Sequence, residues 1–403
     1  MKAVMYGGGN IGRGFIGMLF SQSGYDVTFI DVADSVVEAL NREKKYPVRY
    51  VSAQGKEDVV VGPVSAVHGK DREQVIEAIA NADIMATAVG VRVLKLITPN
   101  LVEGIRRRIK TKGEPLNIII CENLIDADKM LAAHIREQLT EEENQWFEKN
   151  IGLVEASIGR MVPVQTEEMK AGNPLRVCVE RYGFLPVDKD AFKGEIPEIK
   201  NMVPHTPFDF YIERKLYVHN MGHAVCAYLG NYIGKEYIYQ AMDDSDVQYL
   251  VENAMLESGR AIAKQYGASL DGIVLHTQDL LIRFTNQALK DTCARVSGDT
   301  ARKLSARDRL IGASGLCVKQ GIYPAYILLG AAGAVYQYLK ENHEKQAIKQ
   351  AVRVLEEISE LERTDDRMKG ILTFYEMLLG GATLKELKYT AQTMEAERLV
   401  SII

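Results

Sequence analysis

The residues best equipped for chemistry fall in two short stretches. The segment Glu213 to Gly230 reads ERKLYVHNMGHAVCAYLG. On a helix turning about 100° per residue, Lys215, Asn220 and His223 fall within an arc of roughly 140° and can face one pocket. They supply a base, an amide donor and an imidazole, the ingredients of general acid–base chemistry. The second stretch, Lys2 to Asp31, reads KAVMYGGGNIGRGFIGMLFSQSGYDVTFID and places Gly7, Gly9 and Gly12 at G-x-G-x-x-G spacing. Glycines at that spacing let the backbone turn tightly and approach a pyrophosphate, whose charge rests on the N–H groups and positive dipole end of the following helix. Gly7, Gly9, Asn10, Ile11 and Gly12 are therefore the expected cofactor turn. Asp31, about 20 residues beyond the last glycine, is placed to accept hydrogen bonds from the adenosine ribose hydroxyls. Its charge would repel the extra phosphate of NADP, so NAD is the expected cofactor.

The elements around each stretch must do the positioning. A short apolar strand, Lys2 to Tyr6, runs directly into the glycines. A helical pattern then opens at Ile11 and carries Phe15, Ile16, Leu19 and Phe20 on one face. After Gly24 a second strand, Val27 to Ile30, ends in Asp31. A lone glycine motif is weak evidence, but strand, turn, helix, strand and terminal acid together specify a dinucleotide-binding unit. Further apolar runs at Asp58 to Val61, Ile84 to Ala88, Leu116 to Cys121 and Leu153 to Ala156 alternate with helical periodicity at Arg72 to Ala80, Val93 to Arg107 and Ala127 to Leu139. That alternation predicts an α/β fold with a parallel, doubly wound sheet of the Rossmann type. Leu175 to Tyr182 alternates with period two and could add a strand.

Near residue 200 the character changes. Pro197, Pro204 and Pro207 punctuate a polar stretch, and Thr206 before Pro207 resembles an N-cap followed by a first-turn proline. From there the pattern is almost entirely helical: Phe208 to Leu229, Val247 to Tyr266, Thr277 to Leu289, Ile322 to Lys340, Glu344 to Leu361, Met368 to Leu379 and Leu384 to Val400. We therefore expect a dinucleotide-binding domain over 1–200 and a mostly α-helical substrate domain over 201–403, with ligands held in a cleft at the carboxyl ends of the strands.

Composition narrows the class further. A chain of 403 residues exceeds a usual single core, and 47% hydrophobic with 26% charged residues is ordinary for a globular protein. A net charge of -5 gives no general attraction to nucleic acid or anionic membrane. Any anionic substrate must be held by local cations. The five cysteines, Cys121, Cys178, Cys226, Cys293 and Cys317, are odd in number and contain no C-x-x-C pair. They suit a reducing cytosol rather than a disulfide framework. No apolar leader precedes the first strand, and the apolar segment around Tyr323 to Val335 is too short to span a bilayer. A cytoplasmic protein is expected.

Each chemical candidate also has a plainer use. A helical lysine is commonly a solvated charge, a single histidine is commonly structural, and Asn220 can bond backbone. His219 and His223 stand four apart, but no H-E-x-x-H arrangement or third ligand accompanies them, so no metal is expected. What favours chemistry is their combination in the segment that opens the second domain of a dinucleotide-binding protein.

At the level of motifs, GGGNIGRGF, TAVG (Thr87 to Gly90), CEN (Cys121 to Asn123), RMVP (Arg160 to Pro163), KLYVHNMGHA and RKLSARDRL (Arg302 to Leu310) resemble the polyol-specific long-chain dehydrogenases, the mannitol dehydrogenase family. Within that family the order, spacing and length are most similar to the branch acting on mannitol 1-phosphate. The resemblance covers nearly the whole chain, and the K-x4-N-x2-H element is its most specific part. It implies a metal-independent hydride transfer between a sugar alcohol phosphate and a ketose phosphate, with mannitol 1-phosphate and fructose 6-phosphate as the pair. It implies Lys215 as general base, which requires its ammonium to be destabilised by burial or neighbouring positive charge. It further implies that Asn220 and Asn123 donate to the substrate oxygen as negative charge develops, and that His223 positions a hydroxyl. Thr87, Ala88, Val89 and Gly90 would line the inner ribose and nicotinamide.

Two positions depart from the family pattern. Gly159 stands where aspartate usually precedes the arginine, and Gly312 with Ala313 replaces Lys-Pro after D-R-L-I. Arg302, Lys303, Arg309 and Lys319 remain as candidate anion ligands.

Other readings compete. Gly8, Gly12 and Gly14 also satisfy G-x-x-x-G-x-G, and Tyr211 with Lys215 mimics the Tyr-Lys pair of short-chain dehydrogenases, although those enzymes carry the pair within the nucleotide fold. A 6-phosphogluconate-type dehydrogenase shares the order of domains. A dehydrogenase of a related polyol or hexuronate, or a sensor that binds NAD(H) without turnover, completes the alternatives. No oligomeric state follows from the pattern.

Overall fold

The computed structural model describes all residues except 53, 54, 164 and 401–403. It comprises two compact units, Met1–Asp209 and Phe210–Ile403. The strands of the first unit are β1 (Lys2–Tyr6), β2 (Asp26–Asp31), β3 (Tyr46–Ser52), β4 (Gly55–Val61), β5 (Val64–His68), β6 (Ile84–Thr87), β7 (Leu116–Ile120), β8 (Ile151–Glu155), β9 (Val177–Val179), β10 (Leu185–Asp188) and β11 (Met202–His205). Its helices are α1 (Gly17–Gln22), α2 (Asp34–Glu43), α3 (Arg72–Asn81), α4 (Val91–Thr111), α5 (Ala127–Arg136), α6 (Glu141–Asn150) and α7 (Glu167–Lys170).

Six strands form one parallel sheet in the order β5-β2-β1-β6-β7-β8. Neighbours progress outward in both directions from the β1/β6 boundary, the switch point at which a doubly wound sheet opens a crevice at its carboxyl edge. Successive side chains leave a strand on opposite faces. In β1, Ala3 and Met5 join one core with Phe15, Leu19 and Phe29, whereas Val4 and Tyr6 join another with Ile79, Leu101 and Ile105. Burial on both faces explains why these strands read as continuous apolar runs. Arg108 of α4, fully buried, braces the opposite edge through backbone carbonyls alone: Ala80 at 2.9 Å, Ala82 at 2.7 Å, Glu114 at 2.8 Å and Pro115 at 2.8 Å.

The run Asp58 to Val61 is not a strand of this sheet, as its apolar character suggested. It lies in β4, which pairs antiparallel with the unexpected β3, and β9 pairs parallel with β3. The place in the large sheet belongs to β5, whose sequence VSAVH is too weakly apolar to announce itself, while Val60 in β4 is left exposed at an edge. The expected strand Leu175 to Tyr182 shrinks to β9 in the same small sheet. That sheet braces the dinucleotide turn. Tyr46 is buried and donates to the Arg13 carbonyl at 2.8 Å, and a Cβ on Gly14 would lie 2.7 Å from Val177 Cγ1. Also missed were α2 and α6, although the latter opens on a visible capping box, Thr140 with Glu143.

The second unit is helical: α8 (Asp209–Glu213), α9 (Met221–Tyr232), α10 (Ile238–Met242), α11 (Ser245–Tyr266), α12 (Leu270–Phe284), α13 (Cys293–Ser297), α14 (Thr300–Lys303), α15 (Ile311–Lys319), α16 (Ala325–Glu341), α17 (Ile348–Glu357), α18 (Asp366–Leu379) and α19 (Leu384–Val400). No extended strand occurs there among the described residues. The opening helix starts at Asp209 rather than at Pro207, because Met202 to His205 are still extended in β11. The expected helix at Thr277 to Leu289 is the end of α12 followed by a short 3-10 turn. The apolar segment near Tyr323 becomes α16, buried from Ala325 to Val335. Its first N–H groups, at Tyr326 and Ile327, donate to the buried Glu257 carboxylate at 3.1 Å each. No described helix is long and apolar enough to cross a membrane.

Candidate active site

In the first unit the glycines divide their work. Gly7 has φ +103°, and a Cβ there would lie 2.4 Å from the Ala88 carbonyl oxygen. A Cβ on Gly12 would lie 1.9 Å from the Gly7 carbonyl oxygen. Both are compelled by close backbone contact. Gly9 has no atom within 4 Å of the position its Cβ would take, and Gly9 and Asn10 are exposed. Open space in front of a bare backbone is what a pyrophosphate needs.

The helix that follows runs from Asn10, and its turn Gly12–Ile16 is widened to π geometry. Arg160 donates to the Gly14 carbonyl within this turn at 2.9 Å and also to the Tyr182 carbonyl, with its guanidinium 4.5 Å over the Phe15 ring. The arginine of RMVP thus holds the turn in shape.

Asp31 closes the cradle from β2. Its Oδ2 accepts from Gly8 N–H at 2.7 Å and its Oδ1 from Ala33 N–H at 2.9 Å. A carboxylate offers about four acceptor positions, so two remain for a pair of ribose hydroxyls. Exposed Gly9, the helix opening at Asn10 and Ile11, and this carboxylate together fit a dinucleotide.

Beyond β6, Thr87 to Gly90 cross the carboxyl edge next to β1, with Ala88 N–H donating to Tyr6 O at 2.9 Å and Gly90 at φ +89° leading into α4. One residue overlooked in the sequence governs this turn. Glu122, 7% exposed, accepts from Thr87 Oγ1 at 2.7 Å and from Val89 N–H at 3.0 Å. It lies within the quoted CEN segment, yet a glutamate beside an asparagine carries no signal of being buried. Asn123, next in the chain, is exposed.

In the second unit, the helix carrying Lys215, Asn220 and His223 is not α-helical throughout. Between α8 and α9, residues Arg214–Asn220 wind as a π-helix. With i→i+5 bonding and roughly 4.4 residues per turn, the angle between Lys215 and Asn220 shrinks from about 140° to about 50°, and all three residues fall within roughly 60°. Lys215 and Asn220 are half-buried.

His223 is held on both sides. Its ring stacks on Phe284 at 4.8 Å between centroids, and its Nε2 lies 3.2 Å from Asp291 Oδ2. Burial alone would raise the Asp291 carboxyl, but the contacts from His223 and Arg295 outweigh it and leave the group below its ordinary value. His219 is buried and kept neutral, first by desolvation and then by the charge of Arg283 and other neighbours that include Lys215. Among the described residues no group of three or more metal-ligating side chains gathers. Tyr211 packs edge-on against Phe210 and under the Arg214 guanidinium, 4.5 Å from its ring centroid.

Of the four candidate anion ligands, three gather. Arg302 pairs with Asp299 and, at 2.9 Å, with Asp308, while Arg309 Nε lies 2.7 Å from Asp308 Oδ1. Buried Lys303 donates to the Gly298 carbonyl. Its ammonium is lowered to about 8 by burial, reinforced by Arg309 and Arg302. Lys319 ends α15, roughly 12 Å along the helix from its start, and is exposed. It stands apart from the cluster because a whole helix separates them.

The departures at 159 and 312 share one explanation. A Cβ on Gly159 would lie 3.0 Å from the Tyr182 ring, and a Cβ on Gly312 would lie 2.9 Å from the Tyr217 ring and from the Arg307 carbonyl. At both positions an aromatic ring fills the volume of a side chain.

Known proteins agree with this architecture. Residues 1–201 match the model of the mannitol dehydrogenase Rossmann domain, and residues 208–391 that of the mannitol dehydrogenase C-terminal domain. The chain is 37% identical over 353 residues to mannitol-1-phosphate 5-dehydrogenase of Brevibacillus brevis, covering 88% of this chain and 90% of that one. It is 35% identical over 379 residues to the Bacillus pumilus protein of the same name, covering 92% and 99%. Among solved structures, a substrate-free D-sorbitol dehydrogenase matches with a TM-score of 0.78 at 14% identity, over 96% of this chain and 94% of that one. Pseudomonas fluorescens mannitol 2-dehydrogenase, in a ternary complex with NAD and D-mannitol, matches at 0.73 and 15%, over 97% and 94%. Two family models spanning almost the entire sequence, joined by relatives this similar along their whole length, place the chain in the mannitol dehydrogenase family.

Proposed function

We propose that this chain interconverts mannitol 1-phosphate and fructose 6-phosphate, with Lys215 as the general base and no metal in the reaction. The broader class is settled by its family and relatives: it is an NAD-dependent polyol dehydrogenase. NAD, when bound, supplies the hydride acceptor. Gly7, Gly9, Asn10, Ile11 and Gly12 hold its pyrophosphate, Asp31 its adenosine ribose, and Thr87 to Gly90 its inner ribose and nicotinamide.

Lys215 takes the hydroxyl proton as hydride leaves the same carbon, and returns it in the reverse direction. Asn220 and Asn123 donate hydrogen bonds to the oxygen while charge develops on it. His223, fixed by Phe284 and Asp291, orients a neighbouring hydroxyl. The observation that carries this reading is the π-helical stretch Arg214–Asn220, which swings Lys215 and Asn220 toward one direction.

Lys303, Arg302 and Arg309 are the proposed phosphate ligands. One observation favours a second reading, a related uncharged polyol: Asp299 and Asp308 already neutralise both arginines of that cluster. Reduction of fructose 6-phosphate, free ketoses and hexuronates, followed by loss of NADH absorbance, separates the two. We expect kcat/KM for fructose 6-phosphate about 100-fold above free fructose. Equal values would overturn the phosphate assignment, and tight NADH binding without oxidation of any substrate would identify a sensor.

A further inference from the structure

We propose that Glu122 sets the preference of this protein for the oxidised over the reduced cofactor; the inference rests on NAD binding at the carboxyl edge of the large sheet. Glu122 lies just past the end of β7, 7% exposed, and both its oxygens point back to the β6 end, one to Thr87 Oγ1 at 2.7 Å and one to Val89 N–H at 3.0 Å. Among the described residues no lysine, arginine or histidine pairs with it.

Shaping the turn does not require that charge. A glutamine could accept from Val89 N–H through its carbonyl and donate to Thr87 Oγ1 through its amide, so both contacts persist with the Thr87 hydroxyl turned from donor to acceptor. A carboxylate buried without a cation is costly, so a glutamate at a position where glutamine would make the same contacts points to a task beyond hydrogen bonding. The Thr87–Gly90 turn beside the β1/β6 switch point is where the nicotinamide end of the cofactor would be received. That ring carries a positive charge in NAD and none in NADH. A fixed negative charge next to the turn strengthens binding of the first and leaves the second unaffected, and in a site of low effective dielectric the difference is substantial.

Glu122→Gln tests this by removing the charge while keeping the hydrogen bonds. Dissociation constants for NAD and for NADH are measured on the full chain by calorimetry, without turnover. We expect the ratio Kd(NAD)/Kd(NADH) to rise about 10-fold, mainly through weaker NAD binding. Glu122→Asp, which keeps the charge but shortens the reach to Thr87 and Val89, should weaken both cofactors and leave the ratio near wild type. A Glu122→Gln ratio within twofold of wild type, with both cofactors bound, would overturn the inference alone. Failure of the unaltered chain to bind either cofactor would overturn the NAD reading and this inference with it.

Discussion

The dinucleotide turn of the first unit and the Lys215 helix of the second both contain a stretch wound as a π-helix, and they use it differently. In the first, Gly12–Ile16 is clamped from outside: Tyr46 takes the Arg13 carbonyl, Arg160 takes that of Gly14, and β9 presses on Gly14. The widened turn is a structural fit, and the surface offered to a ligand is bare backbone at Gly9. In the second, the widened turn Arg214–Asn220 acts on side chains, narrowing the angle between Lys215 and Asn220. The lesson is that, on the proposed reading, the first unit would hold a pyrophosphate mainly through main-chain N–H groups, with Asp31 beside them, whereas the second would depend on three particular side chains and the angle between them.

The largest expected effect falls on the side-chain half of this contrast. Lys215→Met should lower kcat by roughly 10^3-fold while leaving the Kd for NADH unchanged, as read from steady-state kinetics and calorimetry. A loss smaller than tenfold would remove Lys215 from the chemistry and dissolve the distinction. Next come two glycines with opposite roles. Gly12→Ala, with its Cβ directed at the Gly7 carbonyl, should depress the melting temperature by roughly 5 °C or more. Gly9→Ala, facing open space, should leave melting unchanged but weaken NADH about 10-fold. If Gly9→Ala melts early and binds normally, the backbone is not the recognition surface.

The smallest effect concerns pH. Because the Lys303 ammonium is lowered to about 8, the folded protein gives up that proton as pH rises through this value. KM for fructose 6-phosphate should therefore increase about fivefold between roughly pH 7 and 9, and Lys303→Met should abolish the increase. A KM flat across that range in the unaltered chain would exclude Lys303 as a phosphate ligand.

How legible these features were depends on how local their causes are. Strand, glycine turn, helix and terminal acid lie within about thirty consecutive residues and obey short-range rules, and the parallel strands stood out because both faces are buried. The exchange of Asp58 to Val61 for β5 was hidden, since three consecutive valines in an edge strand look more strand-like than VSAVH in the sheet. Glu122 was hidden for a similar reason: its partners Thr87 and Val89 are more than 30 residues away. Gly159 and Gly312 read only as departures from the family pattern, because the rings of Tyr182 and Tyr217 that occupy their space are distant or unmarked in the sequence.

By itself the sequence determined which chemistry-bearing residues this protein owns and the kinds of element that carry them, because periodicity, capping and turn chemistry act over a few residues. Tertiary structure decided the rest. It set the angle between Lys215 and Asn220, gathered Arg302 and Arg309 about Asp308 with Lys303 beside them while leaving Lys319 apart, and buried a glutamate beneath the Thr87–Gly90 turn. Each of these depends on contacts between residues distant in the chain, whose geometry is fixed only when the surrounding core closes.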